Sequence, residues 1–229
     1  RYDKLGRVTE NKEPTSLAYN SQTQQAEVAA KVTEQHYNRF GEVERSVVYK
    51  ETASGRVQVS QAQYVYDQQG RQIASVDAMG YVTTSKYNSF GSIEEVTEYA
   101  TPLSNSQGPW TSLSQILNEV KSSSKDRRTT YTYDAFQRKK TETKHQVEVS
   151  TLAASGQLQT ELRDVTVVYD HDALGNLTCT TDVNGAKTYS QYDAMGRVLQ
   201  TLTPGSGEDH QYHLLTQYRR DAYGNVVAK

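Results

Sequence analysis

The densest group of potential metal ligands is a short acidic and histidine-containing stretch: Glu208, Asp209, His210 and His213. Histidine and carboxylate side chains are common zinc ligands. Residues three apart in a β-strand point to opposite faces, so His210 and His213 would converge poorly, and no cysteine or third histidine is near them in sequence. We therefore predict exposed hairpin residues here, with no bound metal and no cofactor.

Other reactive side chains form no recognisable catalytic pattern. Cys179, the single cysteine, has no basic neighbour in sequence, which predicts an inert strand residue and excludes an internal disulfide. The basic stretches 125–128 and 138–140 are short, and the formal net charge is −2, so no nucleic-acid partner is expected. The chain has no phosphate loop, Gly-x-Ser-x-Gly or His-Glu-x-x-His motif. We predict no convergent set of nucleophile, base and orienting group, and therefore no enzyme activity.

A repeated turn, Tyr/x-Asx-x-x-Gly, dominates the sequence. Its ten Asx positions are Asp3, Asn38, Asp67, Asp77, Asn88, Asp134, Asp172, Asp182, Asp193 and Asp221. Nine are followed three residues later by glycine: Gly6, Gly41, Gly70, Gly80, Gly91, Gly175, Gly185, Gly196 and Gly224. Tyrosine precedes the Asx in six copies: Tyr2, Tyr37, Tyr66, Tyr87, Tyr133 and Tyr192. An aliphatic residue follows the glycine by two positions in seven copies: Val8, Val43, Val82, Ile93, Leu177, Val198 and Val226.

Each copy predicts the tip of a β-hairpin. An Asx side chain accepts hydrogen bonds from backbone N–H groups just ahead and so opens a type I turn. Glycine three residues later takes the left-handed conformation that closes the turn, so we expect positive φ there. Gln137 replaces the glycine in one copy, and Val76, His171, Thr181 and Arg220 replace the tyrosine in others. We expect looser turns, or a degenerate repeat, in those copies.

The spacing of the turns predicts long antiparallel hairpins and short meanders. Gly70, Gly80 and Gly91 are 10 and 11 residues apart, and Gly175, Gly185 and Gly196 repeat this spacing, which suits single strands joined by turns. Longer gaps leave room for paired arms. We predict arms at 45–50 and 57–66, at 141–151 and 157–169, and around a turn at 204–207.

The segment 100–128 breaks the pattern and is predicted to be a helical insertion. Leu113, Ile116, Leu117 and Val120 follow a helical period, and Ser112 with Gln115 forms a potential capping box, so we predict a helix over 112–122. The favoured interpretation is an insertion that packs its apolar stripe on the sheet. A docking helix for a partner is the alternative.

The repeats resemble the YD repeats of the RHS family, which includes bacterial polymorphic toxins, insecticidal toxin complex components and teneurins. Tyr2 to Val8, Tyr66 to Arg71 and Tyr192 to Val198 carry the resemblance most clearly, and it extends from Tyr2 to Val226. It implies an all-β fold, a spiral of antiparallel β-hairpins forming part of a hollow shell, with one short inserted helix. It also implies two partners: neighbouring YD repeats of a parent chain and an enclosed effector or toxin domain.

Composition suits a thin sheet with both faces in water. Hydrophobic residues make up 35% of the 229 residues and the mean hydropathy is −0.79, whereas 17 tyrosines favour strands over disorder. No apolar run approaches the ~20 residues of a membrane span. We expect residues 1–229 to be one RHS/YD segment, a fragment without its own signal, from a secreted or cell-surface bacterial parent. Its unpaired edge strands would favour self-association.

Two functions remain open from the sequence. The first is structural: encapsulation of a C-terminal effector by an RHS-type shell. The alternative is a cell-surface recognition or adhesion module that binds carbohydrate or a protein partner. Exposed aromatic side chains would favour the second function, and a downstream unrelated domain in the parent would favour the first.

Overall fold

The structure, a computed structural model, describes residues 1–20, 24–105, 108, 110–153, 155–205 and 213–229. It divides into two compact units. Unit 1 comprises Arg1–Lys86 and Val96–Arg127, and unit 2 comprises Tyr87–Glu95 and Arg128–Lys229. The predicted turn at 204–207 lies partly outside the described residues. Glu208, Asp209 and His210 lie wholly outside them.

The described residues form seventeen strands and one short helix, which confirms the predicted all-β fold. The first eight strands are β1 (Glu10–Lys12), β2 (Ser16–Asn20), β3 (Gln25–Tyr37), β4 (Val43–Thr52), β5 (Gly55–Tyr66), β6 (Gln72–Val76), β7 (Val82–Tyr87) and β8 (Ile93–Glu98). Helix α1 is Leu113–Glu119. The remaining strands are β9 (Arg127–Tyr133), β10 (Lys139–Leu152), β11 (Leu158–His171), β12 (Leu177–Thr181), β13 (Lys187–Tyr192), β14 (Val198–Pro204), β15 (His213–Gln217), β16 (Arg219–Arg220) and β17 (Val226–Ala228).

Unit 1 is an antiparallel sheet in which chain neighbours are also sheet neighbours. Its strand order is β1-β3-β4-β5-β6-β7, and β2 pairs with the part of β3 that β1 leaves free. The β4–β5 hairpin closes at Thr52 opposite Gly55, as the spacing of the arms predicts. Strands β5, β6 and β7 are joined by repeat turns alone, which is the predicted meander.

Unit 2 follows the same plan. Its strand order is β9-β10-β11-β12-β13-β14-β15, all antiparallel, and β16 pairs with β17 in a separate two-stranded sheet. The β10–β11 hairpin is the longest, with strands of 14 residues each. Its register shifts between Lys144 and Val147, where a β-bulge interrupts the ladder.

The main cluster of buried hydrophobic residues lies in unit 1 and includes the insertion. Ile116 of α1 is fully buried and packs with Trp110 and Leu103 against Val76 and Val82 of the sheet. Ser112 and Gln115 form the predicted capping box, although the helix ends at Glu119 rather than at 122. A helix this short is marginal alone and is stabilised by burying its apolar face. Packing on the core cluster therefore accounts for Leu113, Ile116 and Val120 of the apolar stripe, whereas Leu117 is 42% exposed.

The insertion is also held by a buried amide. Gln63 of β5 is 4% exposed, and its Nε2 donates to the carbonyl oxygen of Gly108 at 2.5 Å. Its Oε1 accepts from the backbone N–H of Trp110 at 3.0 Å. A buried polar side chain is costly unless it is hydrogen-bonded, so these two bonds fix the insertion over one strand position.

Unit 2 has almost no core of this kind. Of the buried hydrophobic residues in the described chain, only Cys179 belongs to unit 2, at 8% exposure. Strands β10 and β13 alternate between half-buried and exposed positions without a fully buried face. The sparse burial in this sheet agrees with the low hydrophobicity of the sequence, which predicts a layer with water on both sides.

Candidate functional site

The repeat turn is a closed loop of four hydrogen bonds, as the copy at Asp3 shows. Asp3 Oδ1 accepts from the backbone N–H groups of Leu5 at 2.8 Å and Arg7 at 2.9 Å. The Asp3 N–H donates to the Arg7 carbonyl at 2.9 Å, and the Gly6 N–H donates to the Asp3 carbonyl at 3.1 Å. Gly6 has φ of 79°, the left-handed conformation expected from the sequence.

All ten copies share this geometry. The bonds from Asx N–H to the carbonyl four residues on are 2.9–3.0 Å, and those from the third-following N–H back to the Asx carbonyl are 3.0–3.1 Å. The nine glycines have φ between 75° and 95°. Gln137 adopts φ of 62° and closes its turn at 3.0 Å. The expectation of looser turns in the departing copies was wrong, because the Asx side chain and the backbone supply the turn's bonds whatever residue precedes them.

In most copies the side chain of the residue after the glycine position donates a hydrogen bond to the aspartate of its own turn. Nε of Arg7, Arg71, Arg138 and Arg197 lies 2.6–2.7 Å from Oδ2 of the Asp in its own turn. In the last copy Asn225 Nδ2 takes this place, 3.0 Å from Asp221 Oδ2.

The turn's donors also set the acidity of its carboxylates. The backbone N–H of Arg7, helped by the Arg7 guanidinium, holds the pKa of Asp3 below its usual value. The backbone N–H of Arg197 lowers the pKa of Asp193 in the same way. In these turns the carboxylate is therefore held ionised and is balanced by an arginine.

The tyrosine of one turn bonds to the backbone of the preceding turn on the same sheet end. Four such bonds run from a tyrosine hydroxyl to the carbonyl oxygen two positions after a glycine: Tyr37 to Val8 at 2.8 Å, Tyr66 to Val43 at 2.9 Å, Tyr133 to Ile93 at 2.6 Å and Tyr192 to Leu177 at 2.9 Å. Where Arg220 replaces tyrosine, its Nη2 donates to the Val198 carbonyl at 3.2 Å. These bonds, with the Arg7 guanidinium 4.4 Å from the centre of the Tyr37 ring, link neighbouring hairpins.

In four cases the residue after one glycine also reaches the glycine of the next turn. A Cβ at Gly70 would lie 2.6 Å from Glu42 Oε1, and one at Gly224 would lie 2.7 Å from Arg197 Nη1. At Gly41 and Gly196 the corresponding distances, to Arg7 Nη1 and Asn176 Oδ1, are 3.3 Å. Glycine at these positions therefore provides both left-handed φ and space for the neighbouring turn.

We call each linked series of turns a turn ladder. In unit 1 it contains the turns at 3–6, 38–41 and 67–70, and in unit 2 it contains those at 88–91, 134–137, 172–175, 193–196 and 221–224. Because strands alternate in direction, the turns at 77–80 and 182–185 lie at the opposite ends of their sheets. Those two copies lack both the tyrosine and the arginine.

The structure also reveals a feature that the sequence analysis missed. The residue just before the glycine is large and apolar in eight turns, and all eight side chains are 70–92% exposed: Leu5, Phe40, Met79, Phe90, Phe136, Leu174, Met195 and Tyr223. Gln69 and Asn184 occupy this position in the other two. The recurrence of apolar residues at one turn position was the available signal.

One hydrogen-bonded chain contradicts the prediction that no nucleophile, base and orienting group converge. Thr130 Oγ1 lies 2.8 Å from His145 Nε2, and His145 Nδ1 lies 2.8 Å from Asp164 Oδ2. Asp164 Oδ1 also accepts from the backbone N–H of Gln146, which has φ of 53°, and this bond is the main cause of the lowered pKa of Asp164. These contacts satisfy the β-bulge in β10, and the Asp164 side chain is 53% exposed, so the arrangement suits a structural bulge better than a water-excluding active site.

The remaining candidate residues have ordinary surroundings. Cys179 is a buried free thiol in β12, and His213 is exposed at the start of β15. Within the described ranges, no three His, Cys, Asp or Glu side chains converge as a metal site would require. The described residues also contain no helix with the length and apolarity needed to cross a bilayer.

Comparison with known proteins identifies the repeat. Residues 171–208 match the RHS Repeat family, and this stretch holds the turns at Asp172, Asp182 and Asp193. The chain contains an RHS repeat. The resemblance drawn from the turns is thereby confirmed, and the same turn geometry recurs on both sides of the matched residues.

No curated protein matches the chain. Among solved structures, it is similar to TcdB2-TccC3-Cdc42 at 16% identity and a TM-score of 0.38, covering 98% of this chain and 12% of the other. It is also similar to the Tc holotoxin pore of Photorhabdus luminescens at 16% identity and a TM-score of 0.43, covering 93% and 11%. A porin-like protein from Bacteroides uniformis gives 10% identity and a TM-score of 0.30, covering 91% and 93%.

Proposed function

We propose that this chain is a wall segment of an RHS-type shell whose parent protein encloses a C-terminal effector. The observation that carries the proposal is the sheet of unit 2, in which Cys179 is the one buried hydrophobic residue among those described. A globular domain buries a face of its sheet against another layer. A wall between two aqueous compartments needs no such layer.

The turn ladder gives this wall its coherence. An isolated thin sheet gains little from the hydrophobic effect, so its hairpins must be joined by other means. Tyr192 donates to the preceding turn, Arg220 donates to the turn at Asp193, and Asp193 is itself bonded to Arg197. Such links recur at every second strand. The sheet can therefore be lengthened by adding further hairpins, each bonded to the turn before it.

The proposed role is steric containment, without turnover. The parent would be secreted or displayed at the cell surface, and its effector would be shielded until release. The RHS repeat at 171–208 supports this assignment. The turn residues that the sequence singles out serve the wall by setting its hairpins and their spacing.

Protease protection of the full-length parent tests the proposal. We expect the region downstream of the repeats to resist a broad-specificity protease in the native parent and to be digested when expressed alone. Gly196→Val should open the ladder and shorten the lifetime of the downstream region, whereas Asn184→Ser, on the opposite sheet end, should not. Equal digestion of the downstream region in the parent and alone would refute containment.

An adhesion module remains the second candidate, favoured by the exposed aromatic residues Phe40, Phe90, Phe136 and Tyr223. Sugar-binding surfaces use aromatic rings as stacking platforms, yet Leu5, Leu174 and the two methionines stand at the same turn position. A glycan array probed with the purified chain distinguishes the candidates. Saturable binding that Phe136→Ala abolishes would favour adhesion.

A further inference from the structure

Five exposed apolar side chains follow the turn ladder of unit 2. They are Phe90, Phe136, Leu174, Met195 and Tyr223, with exposures of 75%, 79%, 78%, 76% and 92%. We call them the tip row. Contiguous exposed apolar residues on a soluble protein mark interaction surfaces, whereas scattered ones need no explanation.

The turns themselves do not require apolar tips. Asn184 occupies the same position in the turn at Asp182, and its backbone N–H bonds to Asp182 Oδ1 at 2.8 Å, as in the other copies. Among the repeat turns of unit 2, this turn lies at the sheet end opposite to the turn ladder. In unit 2 all five turns on the ladder end have apolar tips, whereas in unit 1 the ladder turn at 67–70 has Gln69 and the opposite turn at 77–80 has Met79.

The spacing of the tip row restricts what can cover it. Successive ladder turns are two strands apart, so their tips repeat about every 10 Å. The tip row of a second copy has the same repeat, so each of its apolar side chains can lie between two neighbouring tips of the first copy. The charges beside the tips do not oppose this approach, because Arg138 and Arg197 are paired with aspartates at 2.6 and 2.7 Å and the chain's formal net charge is only −2.

The area of the row is close to what a dimer needs. Aromatic side chains bury about 150–250 Å² each, and three of the five tips are aromatic, so the row offers on the order of 600 Å². A stable interface buries about 800 Å² on each partner. The tip row alone would supply most of such an interface.

We infer that the tip row of unit 2 is a self-association surface whose occupant is the tip row of a second copy of this chain. A two-fold axis between the rows would let each tip meet the same surface on the partner, as isologous dimers require. This inference goes beyond containment, since it assigns a contact that the wall function does not need.

Sedimentation velocity of the purified chain over a concentration series tests it. The triple variant Phe136→Asn, Leu174→Asn and Met195→Asn copies the residue found naturally at Asn184, so its turns should form, and circular dichroism checks that they do. We expect the wild type to dimerise and the triple variant to raise the dissociation constant at least about tenfold. Met79→Asn, on the opposite sheet end of unit 1, should leave it unchanged.

Edge-strand pairing is the competing route to association. Leu214→Lys with Thr216→Lys places charges on β15, which pairs with β14 alone among the described strands. Unchanged dimerisation of this edge variant, with loss in the folded triple variant, would support the tip row. A wild type that stays monomeric throughout the concentration series would overturn it. Loss of dimerisation in the edge variant alone, or tip-dependent binding to anionic vesicles without dimerisation, would also overturn it.

Discussion

Gly70→Ala separates the two reasons for glycine in the turn ladder. Gly70 has φ of 77°, a conformation that costs a residue with a Cβ about 1–2 kcal/mol. The added Cβ would also lie 2.6 Å from Glu42 Oε1, which must move away. Glu42 Oε2 accepts a hydrogen bond from Asn38 Nδ2, and losing such a bond costs about 0.5–1.5 kcal/mol. We therefore expect Gly70→Ala to lower the free energy of unfolding by about 2–3 kcal/mol.

A double-mutant cycle isolates the contact between turns. In the Glu42→Ala background the displaced carboxylate is absent, so Gly70→Ala should cost only the conformational term of about 1–2 kcal/mol. Gly185→Ala supplies a comparison in an open turn, because φ is 85° and no atom lies within 4 Å of the added Cβ. It should cost about the same 1–2 kcal/mol.

Urea unfolding provides the measurement. The buried Trp110 packs with Val65 in the cluster beside the turn at 67–70, so its fluorescence reports unfolding of unit 1, and circular dichroism follows Gly185→Ala. Equal costs of Gly70→Ala in the two backgrounds would show that Glu42 does not constrain Gly70. A stabilising effect of either alanine would refute the left-handed conformation itself, because alanine stabilises where its φ is compatible.

Three further predictions concern the ladder and the core. Tyr192→Phe should lower the free energy of unfolding by about 0.5–1.5 kcal/mol, because it removes the bond to the Leu177 carbonyl, and calorimetry would measure it. Acid should destabilise the chain, because folding lowers the pKa of Asp193. The stability that Asp193 contributes is fully present above its unfolded pKa of about 3.9 and is lost as the pH falls through the lower folded pKa. Ile116→Ala should cost about 2–5 kcal/mol in urea unfolding, since Ile116 is fully buried.

Each of these has a matched control. Tyr189→Phe, at a half-exposed position outside the ladder, should change stability less than Tyr192→Phe, and an equal loss would argue against the inter-turn bond. Asp193→Asn should flatten the loss of stability below pH 4, and an unchanged acid transition would remove Asp193 from its causes. Leu117→Ala, at a 42% exposed position of α1, should cost much less than Ile116→Ala.

The turns, the arms and α1 were predictable because their causes are local. The Asx side chain bonds to backbone groups two and four residues away, and the glycine answers a conformational need at its own position. Likewise, Ser112 and Gln115 cap a helix whose apolar residues follow its own period. The error over Gln137 was also local: the backbone bonds of that turn hold a non-glycine residue at φ of 62°.

Contacts between turns came only with the tertiary structure. Tyr37 and Val8 are 29 residues apart, and the Thr130–His145–Asp164 chain joins three strands across a bulge whose position the sequence pattern does not reveal. Which tips form a row likewise depends on strand order, since turns adjacent in sequence can lie at opposite sheet ends. Repeat chemistry thus determined the hairpins of this chain, whereas long-range strand pairing decided which side chains meet, because hydrogen bonds between distant residues exist only once the sheet has set their register.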